Sequence, residues 1–358
     1  MFCTTEGACL ERLIAIAKPI LLKSERKHPI VGPGRKPEIP DWVLALLILS
    51  ATLKKKKTKS AQFRWISSNR RHFERHLDGH RLPSRSTYFD RFKKAHSIMD
   101  ESILLMGQKA VHSGWADASI TAIDKSLMVA KGPKWWKGDR LKNRIPKKLR
   151  GVDQDSQWGF SSHHGWVQGY SFEVVVSCGK NGVVFPLVAS ADVASMSEHR
   201  SFGQKIRRIP QCTRYVLADA GYDNNEFADQ IELKGERKTG KWFLCPQNSR
   251  GQKGKLVAPK GEFESKRKYA TRLRRAQRRM AFKSKLSQKH FRPRSQCIEP
   301  FNEWFKSAFE LNERVWHRGI ENNRTQVLSC IFAYQVLVSL NCKQKKPSGQ
   351  IKPILDAL

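Results

Sequence analysis

The stretch Ser119–Val129, S-I-T-A-I-D-K-S-L-M-V, has the composition of a β-strand and carries an acidic residue, Asp124, near its middle. Its β-branched and apolar residues favour a strand, and the Gly-Pro pair at 132–133 marks its end. Aspartate is disfavoured inside a strand because its short carboxylate competes for backbone hydrogen bonds. Asp124 is therefore either a structural residue of this strand or a functional carboxylate that the strand positions.

The segments that follow predict more strands, which extend this one into a sheet. The predicted strands are Tyr170–Ser177 and Val183–Ser190, joined as a hairpin, then Arg214–Ala218 and Lys241–Cys245. Before residue 115 the apolar residues recur at helical spacing instead, and the chain from Ile298 onward is helical again. We therefore expect a helical region over 1–114, a mixed α/β domain over 115–345 and a C-terminal tail over 346–358.

The charge of the chain indicates its class of partner. The 358 residues include 67 Lys+Arg against 32 Asp+Glu, a formal net charge of +35, which is typical of a protein that binds a polyanion. An apolar content of 39% excludes a disordered basic tail. No apolar run reaches the ~20 residues of a membrane span, and the eight cysteines are scattered without a C-x-x-C pair. We expect a cytoplasmic DNA-binding protein with no membrane association.

Two basic segments are candidates for contact with DNA. Residues 250–294 are dense in Lys and Arg, and so many like charges repel one another unless a polyanion neutralises them. The candidates there are Arg274, Arg275 and Arg278. Ser84–Ala95 predicts a short capped helix after other helices, as in a helix-turn-helix, with Arg85, Tyr88, Arg91 and Lys94 as candidate contacts. The alternative for Ser84–Ala95 is an ordinary basic surface helix.

Two more acidic residues stand where chemistry is expected. Asp219 follows the strand Arg214–Ala218, and a carboxylate at the carboxyl end of a buried strand points into the crevice where α/β sheets bind ligands. The nearby Asp223 precedes a helix with Glu226 three residues later, which predicts a structural capping box. Glu299 begins a predicted helix and shares one side of it with Lys306. An exposed Glu/Lys face is the alternative for Glu299.

Asp124, Asp219 and Glu299 together form an all-oxygen ligand set, which suits Mg²⁺ or Mn²⁺. Phosphodiester chemistry uses such a site with two ions at ~3.5–4 Å, one activating the attacking hydroxyl or water and one stabilising the leaving oxygen.

The order of these motifs resembles the DDE transposases of bacterial insertion sequences. The resemblance rests on Asp124, on Asp219 in Leu-Ala-Asp-Ala-Gly-Tyr-Asp, and on Glu299 with Lys306 seven residues later, and it covers roughly residues 115 to 345. The stretch from Leu149 to Phe160, followed by Gly165 to Tyr170, is similar to that family's linker into its second and third strands. The resemblance implies an RNase H-like mixed sheet flanked by helices, two divalent ions, hydrolysis at element ends and joining of the 3′-hydroxyl to target DNA.

The resemblance also implies partners and further contacts. The partners are transposon ends and target DNA, held by a homodimer in a synaptic complex in the bacterial cytoplasm, at the nucleoid. The family's third motif places a Tyr seven residues and an Arg four residues before the Glu, whereas this chain has Arg292 and Ser295 there, with Arg294 one place away. The resemblance therefore carries over Lys306 alone as a phosphate contact, and Arg292 and Arg294 are further candidate DNA contacts of this chain. Two alternatives remain open: a catalytically decayed DNA-binding relative, and a metal-dependent endonuclease without strand transfer.

Overall fold

The computed structural model describes residues 6–27, 37–135, 138–139, 142, 151–161, 165–180, 182–203, 205–234, 237–248 and 264–358. The helices bounded there are α1 (Glu6–Lys27), α2 (Asp41–Leu53), α3 (Lys59–Ser68), α4 (Arg70–Glu74), α5 (Arg85–Phe92), α6 (His96–His112), α7 (Glu198–Phe202), α8 (Asn225–Glu232), α9 (Lys266–Phe282), α10 (Lys285–Phe291), α11 (Pro293–Ala308), α12 (Ile320–Lys343) and α13 (Lys352–Asp356). The strands are β1 (Ile120–Val129), β2 (Gln157–Ser161), β3 (Gly165–Ser177), β4 (Pro186–Val193), β5 (Tyr215–Leu217), β6 (Leu233–Lys234), β7 (Arg237–Lys238) and β8 (Trp242–Leu244). Residues 149–150 of the family-like linker and 250–263 of the basic stretch lie outside the described residues.

The main sheet is mixed, and its strand order is that of an RNase H-like fold. β3 lies between β1 and β4 and is antiparallel to both, while β5 is parallel to β1 and β8 is parallel to β5. β2 extends the sheet by pairing with the first residues of β3. The expected mixed sheet flanked by helices is therefore present, and the predicted hairpin and the strand around Asp124 are confirmed.

The centre of the sheet is buried because helices cover β3 along most of its length. Every residue of β3 from Gln168 onward is buried, in keeping with its near-continuous apolar run Val174–Val176. Phe172 of β3 packs edge-on against Phe305 of α11 at 5.1 Å between ring centroids. This packing fixes α11, the helix that carries Glu299, against the strands that carry the candidate aspartates.

The helices before residue 113 share one hydrophobic core with the α/β part. α12 packs against α1, α2 and α6 as well as against β4. Its buried Gln335 donates to the carbonyls of Ile103 in α6 and Pro186 in β4, both within 2.9 Å. At Gly107 a Cβ atom would lie 2.9 Å from the Leu187 backbone, so only glycine permits this approach of α6 to β4. The helical region therefore packs directly against the sheet and shares its core.

α12 is also the one described helix that is long and apolar enough to span a membrane by length and composition. Nearly all of its residues from Asn323 to Asn341 are buried in the protein. Its apolar surface is therefore used by the core.

Candidate active site

Asp124 and Asp219 occupy equivalent places on neighbouring parallel strands. β1 and β5 pair with Ala122 opposite Leu217 as the last matched residues, and each aspartate follows two residues later. Side chains alternate along a strand, so a residue two positions later points to the same face of the sheet. Asp124 and Asp219 therefore share the face of Ala122 and Leu217. The carboxyl ends of parallel strands are also where α/β sheets bind ligands. The sheet therefore places both predicted carboxylates on the same face, at matching positions just beyond the paired part of the two strands.

Asp124 is held from two sides by the helix that faces it. Its Oδ1 accepts a hydrogen bond from Arg294 Nη2 and its Oδ2 accepts one from Asn302 Nδ2, each at 2.8 Å. The pKa of Asp124 is raised to about 7, chiefly by burial, although Arg294 acts against this shift and lowers the pKa. The carboxylates of Asp219, Glu198 and Glu299 contribute to the raised pKa because they repel the ionised form. Asp124 thus lies within electrostatic reach of three other acidic groups.

Asp219 is fixed by a turn of its own. Its side chain accepts a hydrogen bond from the backbone N–H of Gly221 at 3.0 Å and so caps the 3-10 turn Ala220–Tyr222. Its carbonyl accepts a hydrogen bond from Cys245 Sγ at 2.9 Å, just beyond β8. These two bonds orient the residue where strand β5 ends, as a positioned functional side chain requires.

Glu299 comes from α11, which begins with Pro293 in its first turn. Its side chain is 62% exposed, and its Oε1 lies 3.5 Å from Arg294 Nη1. In this arrangement Arg294 lies between Asp124 and Glu299, and the oxygens of Asp124, Asp219 and Glu299 do not all lie within 4.8 Å of one another. The structure brings Glu299 to the rim of the site, with an exposed side chain that can rotate inward.

Lys306 lies on the same helix and reaches the same site. Burial lowers its pKa, while the Asp124 carboxylate acts in the opposite direction and raises it. Arg292 is exposed at the end of α10. Lys306 therefore lies within electrostatic reach of Asp124, and Arg292 lies on the surface at the start of the helix that carries Glu299.

Glu198, at the start of α7, is a fourth acidic residue of the site that the sequence analysis missed. A Cβ atom placed on Gly221 would lie 2.0 Å from Glu198 Oε2, so this carboxylate packs directly against the turn that Asp219 caps. Glu198 also raises the pKa of Asp124 and of the buried Tyr222. The sequence gives no local signal for this role, because Glu198 begins a short helix that only tertiary packing brings to the sheet edge.

Asn302 was missed as well, although a signal for it exists. It lies three residues after Glu299 and four before Lys306, on the helix side that the sequence analysis assigned to the site. Its Nδ2 donates to Asp124, whereas its Oδ1 is buried without a hydrogen-bond partner. A buried oxygen without a partner is costly unless something else binds it. The donor chemistry of the site, carboxylates with one amide oxygen, fits a hard divalent cation.

Two of the four predicted contacts on α5 are engaged within the protein. Ser84 caps the helix as expected, accepting from Thr87 N at 3.2 Å. Tyr88, however, is fully buried and donates to Gln62 Oε1 at 2.8 Å. Arg91 donates to the Ile39 carbonyl and to Asp41 Oδ1. Tyr88 as a DNA contact is therefore wrong, because its ring belongs to the core, and Arg91 is already committed to an ion pair.

The other two candidates on this segment lie on the surface. Arg85 is exposed and its guanidinium lies over the Phe89 ring at 5.3 Å, and Lys94 is exposed just beyond the helix. Of the four candidate contacts, Arg85 and Lys94, at the two ends of this segment, are therefore the two that DNA could reach.

The arginines predicted along α9 pair with aspartates of the neighbouring α8 region. Arg275 donates to Asp223 Oδ2 at 3.1 Å, while Arg274 and Arg278 lie 3.2 and 3.5 Å from the Asp229 carboxylate. Arg275 and Arg278 are only partly exposed and form ion pairs between the α8 region and α9, and their DNA contacts stay a prediction. Arg274 remains exposed.

Asp223 is structural, as expected, but it is not the helix cap. Asn224 caps α8 instead, accepting from the backbone N–H groups of Glu226 and Phe227. Asp223 accepts from the backbone N–H of Asn248 and from the guanidinium groups of Arg275 and Arg279, and these bonds lower its pKa despite its burial. The capping prediction was wrong by one residue, because the longer-range arginine pairs claim the Asp223 carboxylate.

Comparison of the chain with known proteins identifies its family. A family model described as the transposase DDE domain matches residues 115–336, more than half of the chain, and the matched part contains Asp124, Asp219, Glu198 and Glu299. No curated protein and no solved structure matches the chain. Members of that family act on DNA and typically use divalent metal ions. The chain, with its carboxylates in order at the edge of an RNase H-like sheet, therefore belongs to the transposase DDE domain family.

Proposed function

We propose that this protein cuts phosphodiester bonds at the ends of a mobile DNA element and joins the freed 3′-hydroxyl to target DNA. The observation that supports this most directly is the placement of Asp124 and Asp219. They follow matched residues of two parallel strands, and Asp124 contacts the helix of Glu299 through Arg294 and Asn302. Carboxylates from three separate elements that converge at one sheet edge are what an in-line phosphoryl transfer site requires.

The site fits divalent cations, and we propose Mg²⁺ or Mn²⁺, two ions, as its cofactors. Asp124, Asp219 and Glu299 would hold them, with Glu198 and the Asn302 amide oxygen as further oxygen donors. Divalent ions supply charge neutralisation at the attacked phosphate and lower the pKa of an attacking water. The raised pKa of Asp124 supports this assignment, since four acidic groups within electrostatic reach favour a bound cation.

Arg294, Asn302 and Lys306 complete the proposed chemistry. Arg294 pairs with Asp124 and favours its ionised form, because the guanidinium acts against the raised pKa of that group. Asn302 orients the second oxygen of Asp124 through its amide. Lys306, near Asp124 with a pKa lowered by burial, is placed to contact a phosphate that lies over the carboxylates. The backbone of the DNA would then bring a phosphate to Arg294 as well.

DNA contacts away from the cutting site follow from the exposed basic residues. α9 presents Lys266, Lys268 and Arg274 to solvent, and Lys283 follows its last residue. Such contacts position a duplex without reading its sequence. We propose transposon ends and target DNA as partners and a homodimer as the assembly, because joining requires two ends to be held at one target.

The experiment that tests the function uses the purified full chain with DNA that carries the inverted repeats flanking its gene, and a supercoiled target plasmid. With Mg²⁺ or Mn²⁺ we expect cuts at the repeat ends and products in which an end is covalently joined to the target. Cuts without joined products would favour the endonuclease alternative. Binding without cuts in either metal would favour the decayed relative. A parallel assay with Asp124→Asn identifies any contaminating nuclease, because that activity persists in the variant.

A further inference from the structure

A second cluster of metal-ligand side chains lies far from the candidate active site in sequence, at the junction of α1 with the turn after α4. It consists of Glu11, His72 and His76, whose ligand atoms all lie within 4.8 Å of one another. Among the described residues, this is the one group of three His, Cys, Asp or Glu side chains that meets so closely. The catalytic carboxylates do not account for it.

The two histidines are arranged as a pair on one side of their segment. His72 and His76 are four residues apart, the spacing at which helical side chains lie one above the other. The backbone N–H of His76 donates to the Phe73 carbonyl at 2.8 Å, which continues the turn of α4 as far as His76. Their ring centroids lie 5.3 Å apart at an interplanar angle of 62°.

Both imidazoles have a nitrogen that the protein leaves without a partner. The Nε2 atoms of His72 and His76 are each buried without a hydrogen bond. A buried polar atom in this state costs free energy, and an ion bound at that nitrogen would relieve the cost. His72 Nδ1 lies 3.9 Å from Glu11 Oε1, which supplies the negative charge of the cluster from α1.

The protonation state of the cluster also suits a metal. Burial lowers the pKa of both histidines, and in His76 the neighbouring His72 lowers the pKa further. Neutral imidazole is the form that binds a metal ion, and a lowered pKa favours that form. The cations facing the cluster are Arg75 and Lys18, and the ammonium of Lys18 is engaged by Asp78 at 2.5 Å. Arg75 is thus the remaining positive charge that would repel a bound cation, and the negative charge of Glu11 offsets it.

We propose that Glu11, His72 and His76 form a binding site for a borderline transition-metal ion, of the Zn²⁺, Co²⁺ or Ni²⁺ class. Two imidazoles and one carboxylate match the ligand preferences of these ions rather than those of Mg²⁺. Bonds of ~2.0–2.2 Å require the three ligand atoms to close up from their present separations. The Glu11 side chain, 45% exposed, can rotate to do so.

The bound ion ties α1 to the segment that leads into α5. A first tie already exists, because Lys18, two turns after Glu11 on α1, pairs with Asp78 just beyond His76. The ion adds a second tie on the same side of α1. The site is independent of the proposed function, since none of its residues belongs to the carboxylate cluster.

The test measures metal binding to the full chain in an Asp124→Asn background, which weakens binding at the catalytic carboxylates. The probes are Zn²⁺ in a calorimetric titration at pH 7.5 and Co²⁺ in an absorption titration. We expect one ion per chain with high affinity, no thiolate charge-transfer band, and at least tenfold weaker binding after His72→Gln, His76→Gln or Glu11→Gln. The exposed His112 provides the matched control, and His112→Gln should bind as the parent does.

Unfolding of a variant is separated from loss of ligands by comparing thermal midpoints without metal. Zn²⁺ should raise the midpoint of the parent and of His112→Gln, and should leave that of His76→Gln unchanged. Equal Zn²⁺ affinity in the parent and in all three ligand variants would overturn the proposal. A thiolate band with Co²⁺ would overturn it too, by assigning the ion to cysteines.

Discussion

Arg294 donates to Asp124 at 2.8 Å, and the same guanidinium lies 3.5 Å from Glu299. One arginine therefore links a strand-borne and a helix-borne carboxylate of the candidate active site. The family's arginine stands four residues before the glutamate, whereas Arg294 stands five before Glu299. Despite the shift by one position, the guanidinium reaches both Asp124 and Glu299. Arg294 lies in the first turn of α11, and α11 packs against β1.

Replacing any one of Asp124, Asp219 or Glu299 by alanine should abolish cleavage and leave binding to end-containing DNA intact. The single changes should cost nearly as much as the triple change, since groups that act as one unit are not additive. Cleavage of labelled end DNA measures the loss, and a gel-shift assay measures binding. Glu303→Ala is the control, because Glu303 is exposed one turn from Glu299. Full activity in Asp219→Ala would refute the assignment.

Glu198→Gln should raise the Mg²⁺ concentration needed for half-maximal cleavage by about 10- to 100-fold, in the range for residues that support a metal site. The reason is the lost charge beside the turn that Asp219 caps. Excess Mg²⁺ should restore much of the rate, which distinguishes this effect from loss of the fold. Glu226→Gln, an exposed change on α8, should leave the Mg²⁺ requirement unaltered. An unchanged requirement in Glu198→Gln would remove Glu198 from the site.

His317 should make the protein less stable in acid. Burial, together with the nearby Lys59 and Lys131, lowers the pKa of His317 to about 3, so the folded protein holds it neutral. The unfolded chain binds the proton near pH 6.5, and stability is therefore lost as pH falls from about 6.5 towards 3. Between pH 7.5 and 4.5 this loss amounts to about 3 kcal/mol.

Urea unfolding of His317→Gln at those two pH values checks this effect. The variant should lose about 3 kcal/mol less free energy of unfolding than the wild type does, whatever its stability at pH 7.5. His112→Gln, at an exposed position, should follow the wild-type dependence. Equal losses in His317→Gln and the wild type would show that His317 does not control acid stability.

The affinity for DNA should fall steeply with salt. If about 8 phosphates are neutralised, log K falls with log[salt] at a slope of about −7. Changing Lys266, Lys268 and Lys283 together to glutamine should flatten that slope by about 3, because each lost phosphate contact removes about 0.9. A triple change of equal charge at the exposed Lys23, Lys343 and Lys352 is the control. Equal flattening by both triples would disprove a DNA track along α9.

Arg85 should read sequence if the α5 segment enters a groove. Arg85→Ala should then cost about 1–3 kcal/mol on terminal-repeat DNA and much less on random DNA. Lys94→Ala should weaken both DNAs alike, as a phosphate contact does. Binding to both DNAs at fixed salt, in the full-length Asp124→Asn protein, measures the difference. If Arg85→Ala weakens both equally, α5 is a basic surface helix.

The strand around Asp124 and the position of Asp219 were predictable because both depend on local pattern and on a general property of parallel strands. The role of Glu198 was not predictable, since only tertiary packing brings the start of α7 to the turn that Asp219 caps. Tyr88 was misjudged although its burial left a trace: Tyr88 and Phe92 lie four residues apart and form the buried side of α5. The basic residues of that segment indicate a DNA-binding surface, whereas the spacing of Tyr88 and Phe92 indicates a side that packs in the core.

The ribosome synthesises the chain from its N-terminus, and α12 completes the packing of helices that are synthesised long before it. α2 and α6 pack against α12, yet α6 ends at His112 and α12 ends at Lys343. At about 5–20 residues per second, the intervening chain takes roughly 10–50 s to synthesise. During that interval the apolar sides of α2 and α6 lack their final cover. A message truncated before residue 320 would therefore yield an aggregation-prone fragment rather than a stable competitor for DNA.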